Sequence, residues 1–104
     1  MLKEKVLKAI NQQINNEYYS AFLYLSMSAW FQGKGFPGFA NWMYIQYQEE
    51  LTHGNKFFKY VHERGSQVIL RELAQVETDF ASVTEVFEKS LEHEQFVTAS
   101  INKI

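Results

Sequence analysis

The chain has 104 residues, 46% hydrophobic and 16% aromatic, with a formal net charge of −2 and no cysteine. That size and bulk fit one domain with a real core. The cysteine count excludes a disulfide framework and a thiolate metal site, and the charge balance gives no field that would recruit nucleic acid or an anionic bilayer.

Met1-Leu2-Lys3-Glu4-Lys5 runs straight into an amphipathic pattern with no apolar leader. No stretch approaches the ~18 apolar residues needed to span a membrane. The expectation is a soluble, cytoplasmic protein. A first helix is predicted over residues 2–32. Its stripe, Val6, Ile10, Ile14, Glu17, Ala21, Tyr24, Ser28 and Phe31, advances in steps of three and four, the seam of a bundle helix. Glu17 and Tyr24 are polar members of that seam. Gly33-Lys34-Gly35 breaks the helix.

Pro37 suits a first helical turn, where its missing N–H is no loss, and opens a second helix predicted over residues 37–64. Gly65 reads as the residue just past its end. The second seam is Met43, Gln46, Glu50, His53, Phe57 and Tyr60, so Glu50 and His53 stand where Leu or Ile is usual. Residues 65–81, with a short β-prone run at Val68-Ile69-Leu70, lack a helical pattern and are long for a helix connection. Extended, they reach roughly 55 Å, more than the ~42 Å of the second helix. They are expected to cross over along the bundle and set the third helix parallel to the second. That helix is predicted over residues 83–104. Ser82-Val83-Thr84-Glu85 is a capping box, with Glu85 returning to the Ser82 N–H. Its seam is Val83, Phe87, Ser90, Glu94, Val97, Ile101 and Ile104.

Glu50-x-x-His53 puts a carboxylate and an imidazole on one helix face. With lone Glu residues from other helices, this spacing builds di-iron carboxylate sites in bundles. Counting from the turn near Lys34, Glu17 lies 17 residues before it and Glu50 and His53 lie 16 and 19 after it. In an antiparallel hairpin these share a layer, and a crossover brings Glu94 to the same level. Carboxylates buried together without partners are destabilising by several kcal/mol each. A dication removes that objection, and this ligand set suits iron, manganese or zinc. His62 and His93 lie off the seams and are expected to face solvent, with His93 a candidate support beside Glu94. Trp30, Trp42 and the Phe-rich stretch read as packing; Glu88, Lys89 and Glu92 read as a solvated face.

Asn15-Asn16-Glu17-Tyr18-Tyr19-Ser20-Ala21 with Tyr24, Met27-Ser28-Ala29-Trp30, Gln48-Glu49-Glu50-Leu51-Thr52-His53, Arg64-Gly65-Ser66 and His93-Glu94-Gln95, taken in this order, resemble the N-terminal part of a bacterial non-haem ferritin over essentially the whole chain. The resemblance implies an all-α, ferritin-like four-helix bundle, residues 1–104 lacking the end of the third helix and the fourth. It implies iron ligands at Glu17, Glu50 (bridging) and His53 for a first site, Glu94 for a second, Glu49 for a looser third, and Tyr24 beside the centre. It further implies a ferroxidase that oxidises Fe(II) with dioxygen or hydrogen peroxide and stores ferric mineral in a 24-subunit shell. Leu51-Thr52 lacks a haem-ligating Met, so no haem is expected. Arg71-Glu72-Leu73 departs from the family's Pro-containing crossover. A non-catalytic ferritin fragment that only assembles or binds metal weakly is the alternative. A rubrerythrin-like peroxide reductase is disfavoured by the single Glu-x-x-His and the missing Cys. The shortened bundle is expected to leave Val83, Phe87, Val97, Ile101, Ile10, Phe57 and Tyr60 uncovered.

Overall fold

Backbone chemistry at the helix ends sets the architecture. The computed structural model describes residues 1–104 as three helices without a strand: α1 (Glu4–Gly33), α2 (Pro37–Glu63) and α3 (Val83–Asn102). Gly35 (φ +81°) and Gly65 (φ +73°) each take the left-handed conformation just past a helix, which glycine adopts without a Cβ penalty. Around them the Gly35 and Phe36 N–H groups donate to the Gln32 and Phe31 carbonyls, and the Gly65 and Ser66 N–H groups to the His62 and Val61 carbonyls. This paired pattern satisfies the last carbonyls of α1 and α2. The first closure is sealed by the Phe31 and Phe36 rings, centroids 6.3 Å apart. Pro37 is in the first turn of α2.

At α3 the Ser82 hydroxyl accepts from the Glu85 N–H at 3.1 Å, as the capping box requires. The Glu85 carboxylate returns to the Ala81 N–H instead of that of Ser82, because the chain approaches the helix extended. The helix termini differ by one or two residues from the sequence reading. Lys3 is extended (ψ 145°), so α1 begins at Glu4, and α3 closes at Asn102 with Lys103 as its cap.

The path of residues 64–82 follows from its hydrogen bonds. Ser66 Oγ accepts from the Leu2 N–H, the Ile69 N–H donates to Asn11 Oδ1, Asn15 donates to the Glu72 carbonyl and Ser26 to the Glu77 carbonyl. Phe80 then packs edge-on against Trp30. The connection therefore climbs the whole length of α1. Lys89 fastens its far end by pairing with Glu77 and Glu85, so that side chain is not merely a solvated one. Next, α3 descends α1: Phe87 meets Phe31, and His93 meets Ser20. It is antiparallel to α1 and parallel to α2, as the crossover reading requires.

One core cluster gathers Leu23, Tyr24, Met27, Phe31, Ala40, Met43, Phe80 and Val86, and a smaller one Ile10, Ile14, Val61 and Val68. Burying side chains of this size stabilises by about 1.5–3 kcal/mol each. The buried line of α2 is Ala40, Met43, Gly54 and Val61, which shares only Met43 with the seam read from the sequence; Tyr60 and His53 are exposed and Phe57 half-buried. The reason is a close approach. Gly54 lies against the Tyr18 ring, which a Cβ would meet at 2.5 Å, while Tyr18 Oη donates to Asn55 Oδ1 at 2.7 Å. This rotates the Glu50–His53 stripe to the margin of the α1–α2 interface. Trp30 packs as expected, whereas Trp42 is exposed. Of the residues expected to be uncovered, Ile10 and Val97 are buried against neighbouring helices, and Tyr60 and Ile101 are not.

Gly54→Ala should destabilise the chain by about 1–3 kcal/mol through this overlap. Gly38→Ala, with open space around its Cβ, should stabilise by up to ~1 kcal/mol through helix propensity. Denaturant midpoints of both variants check the contrast.

Candidate metal centre

The interhelical layer below the aromatic cluster holds three converging side chains. Glu17 projects from α1 and is fully buried. Its Oε1 accepts from Gln13 Nε2, one turn earlier, at 3.1 Å; its Oε2 has no hydrogen-bond partner. Glu50, half-buried on α2, likewise leaves a buried Oε2 bare. His53 Nδ1 is 3.6 Å from Glu50 Oε2 and 3.8 Å from Glu17 Oε2, beyond hydrogen-bond length. One ligand atom from each residue lies within 4.8 Å of the others. Metal–ligand bonds of about 2 Å set donors on one ion roughly 3–4 Å apart, the range of the two His53–carboxyl distances. Two buried oxygens and an imidazole nitrogen are thus gathered in one place.

Crowding fixes the protonation of Glu50. Burial pushes its carboxyl up to about 9, helped by a hydrogen bond to Glu17 and by the charges of Glu17, Glu94 and Glu49. In the metal-free chain at neutral pH, Glu50 therefore keeps its proton. A dication bound here would have to displace that proton, so its affinity would rise with pH.

The other singled-out residues are placed differently. Tyr24, fully buried, donates from Oη to Glu94 Oε1 at 3.2 Å. Burial raises its hydroxyl pKa against an opposing hydrogen bond from Ser90, so Tyr24 stays a donor. Glu94 and Glu49 are both exposed and outside the three-residue group. The expectation of a solvent-facing histidine holds for His62 and fails for His93. Ser20 donates to the Asn16 carbonyl at 2.8 Å, so it accepts from His93 Nε2 at 2.6 Å. Burial lowers the His93 pKa, opposed by Glu17 and Glu94, which favours the neutral ring. Tyr19 and Phe96 flank it. The off-seam position of His93 concealed this contact, because α3 rolls onto α1 around Ser20. The sequence analysis also passes over Gln13, although its spacing from Glu17 puts both on one helix face.

A helical bundle with carboxylates and an imidazole gathered between antiparallel helices is a frame on which metal sites can be built. The family follows from comparison. The model of the ferritin-like domain matches residues 7–104, and this chain belongs to that family. It is 44% identical over 104 residues to the bacterial non-heme ferritin of Campylobacter jejuni, covering all of this chain and 62% of that protein. It is 39% identical to a probable bacterial non-heme ferritin-like protein of Haemophilus influenzae, of which it covers 63%. Among solved structures, an open pore ferritin from Archaeoglobus fulgidus superposes with a TM-score of 0.96 at 45% identity, over 99% of this chain and 64% of that one. The chain thus spans a little over three fifths of these relatives' length. No helix is long and apolar enough to cross a membrane.

Glu50 ionises near 4.5 when unfolded and near 9 when folded. Between those values the folded chain holds one more proton, so metal-free stability should fall as pH rises from 4.5 to 9. Glu50→Gln should flatten that slope and raise Tm at pH 8; thermal melts across the window test it.

Proposed function

We propose that the layer formed by Glu17, Glu50 and His53 takes Fe(II) as substrate and supports its oxidation. One observation carries this reading: two buried carboxyl oxygens from separate helices lack partners beside an imidazole nitrogen, all within 4.8 Å. Fe(III) gains more than Fe(II) from anionic oxygens at short range, since the attraction scales with charge, so the site favours loss of an electron. Two Fe(II) release two electrons; dioxygen takes them with two protons to give hydrogen peroxide, or hydrogen peroxide takes them with two protons to give two waters.

In this reading Glu50 bridges, Glu94 serves a second iron, Glu49 a looser third, and Tyr24 steadies Glu94 by its hydrogen bond. Family membership supports iron storage as a ferric mineral inside a homo-oligomeric shell, by resemblance one of 24 subunits, working in the cytoplasm without haem.

A second reading, metal capture without turnover, is favoured by the place of Glu94. It lies outside the three-residue group, so the described residues gather ligands for one ion only. Beside the site an open groove of about 620 Å³ is lined by Val6, Ile10, Phe57, Tyr60, Ile101 and Ile104, with Glu17 and His53 at its edge. Such a face needs cover from further chain or another copy.

Glu50→Ala should abolish high-affinity iron binding, whereas Glu49→Ala should leave the first equivalent intact. Anaerobic Fe(II) calorimetry on both decides it, and equal losses would sink the assignment of Glu50. The 104-residue chain alone should self-associate and oxidise Fe(II) slowly; sedimentation and the appearance of ferric absorbance under air measure both. A well-behaved monomer with rapid turnover would remove the second reading and the need for cover.

A further inference from the structure

We propose that Gln13 is a positioning residue for the metal centre: its side-chain amide holds Glu17 so that one carboxyl oxygen is spent inside the protein and the other is presented to the ion. This rests on the metal reading of Glu17, Glu50 and His53.

Gln13 is an amide in a place where the bundle offers water almost nothing, 2% exposed and one turn before a fully buried carboxyl. A buried amide without partners is destabilising, and this one has a specific partner, Glu17 Oε1 at 3.1 Å. The acceptor fixes which way the amide is turned, because a carboxyl oxygen accepts from the NH2 group and repels the carbonyl. With Oε1 held, rotation about the last bond of Glu17 is restrained. Oε2 is then left without a partner, 3.8 Å from His53 Nδ1.

Both residues sit on the same helix and the same face, so the pair is formed by α1 alone and precedes the arrival of metal. Glu50 has no comparable side-chain donor among the hydrogen bonds of the chain, and its Oε2 is bare. The two carboxyls therefore differ in kind. Glu17 is a fixed arm, and Glu50 is free to change how it binds as charge on the ion changes. Residues that orient a ligand without touching the metal commonly govern affinity by 10–100-fold.

The test uses Co(II), whose absorption reports ligand geometry, in calorimetric and optical titrations of the 104-residue chain. Gln13→Met keeps length and volume and removes the donor; it should weaken Co(II) binding by about 10–100-fold and alter the visible spectrum, with helicity by circular dichroism unchanged. Gln13→Asn keeps the amide but withdraws it by one methylene, and should act in the same direction should the Met variant fold poorly. In a Glu17→Gln background, Gln13→Met should add no further loss, because the residue acts through Glu17. Wild-type affinity retained by both single variants, or an undiminished loss in the Glu17→Gln background, would overturn the role of Gln13. Absence of Co(II) binding to the wild-type chain would instead overturn the metal reading beneath it and take this role down with it.

Discussion

Everything in this bundle is arranged around a shortage of hydrogen-bond donors in one layer. Glu17 and Glu50 bring four carboxyl oxygens to the space between α1 and α2, and two of them meet no donor. In a low-dielectric interior that arrangement is unfavourable for as long as the layer contains only protein. The fold tolerates it because the rest of the hairpin is well satisfied: closed helix ends, a ring cluster around Phe31, and the tight passage of Gly54 over Tyr18. Stability is drawn from the flanks and a deficit is kept in the middle, the usual signature of a site maintained for its chemistry.

The same deficit explains why a proton is held so firmly on Glu50. A proton is the smallest cation that can relieve two crowded carboxyls. The packing of α2 on α1 thus sets the charge of this layer, with Tyr24 and Glu94 forming a separate hydrogen-bonded pair above it.

Much of this was legible in the sequence, for a definite reason. Glycine and proline at helix ends are read from steric rules, and both closures behave as those rules require. The register that pairs Glu17 with Glu50 and His53 depends only on helical rise and the place of the turn at Lys34, so it survives errors elsewhere. The rotation of α2 did not emerge, because hydropathy marks Phe57 and Tyr60 as core and ignores Gly54. Closest approach of two helices is decided by the smallest side chain, which periodicity arguments weigh least. His93 was misplaced on the same ground: a polar residue off the stripe is taken as exposed, although a single serine on the facing helix is enough to bring it in. The crossover was legible as a length, and its attachment to Asn11, Asn15 and Ser26 required the folded backbone.

That attachment has a consequence for the order of assembly. The α1–α2 hairpin is joined by a tight turn and can close outward from it turn by turn, so little chain entropy opposes each step. By contrast, α3 finds its place only after the strap has been laid along α1 through polar side chains on one helix face, and closing that longer loop is entropically uphill. The chain therefore comprises two cooperative units of unequal rank. The hairpin, which carries Glu17, Glu50 and His53, can persist while the strap and α3 detach and return. Such opening would expose Tyr24 and free Glu94 without dismantling the three-residue group, so the fold holds the two acidic clusters with unequal firmness.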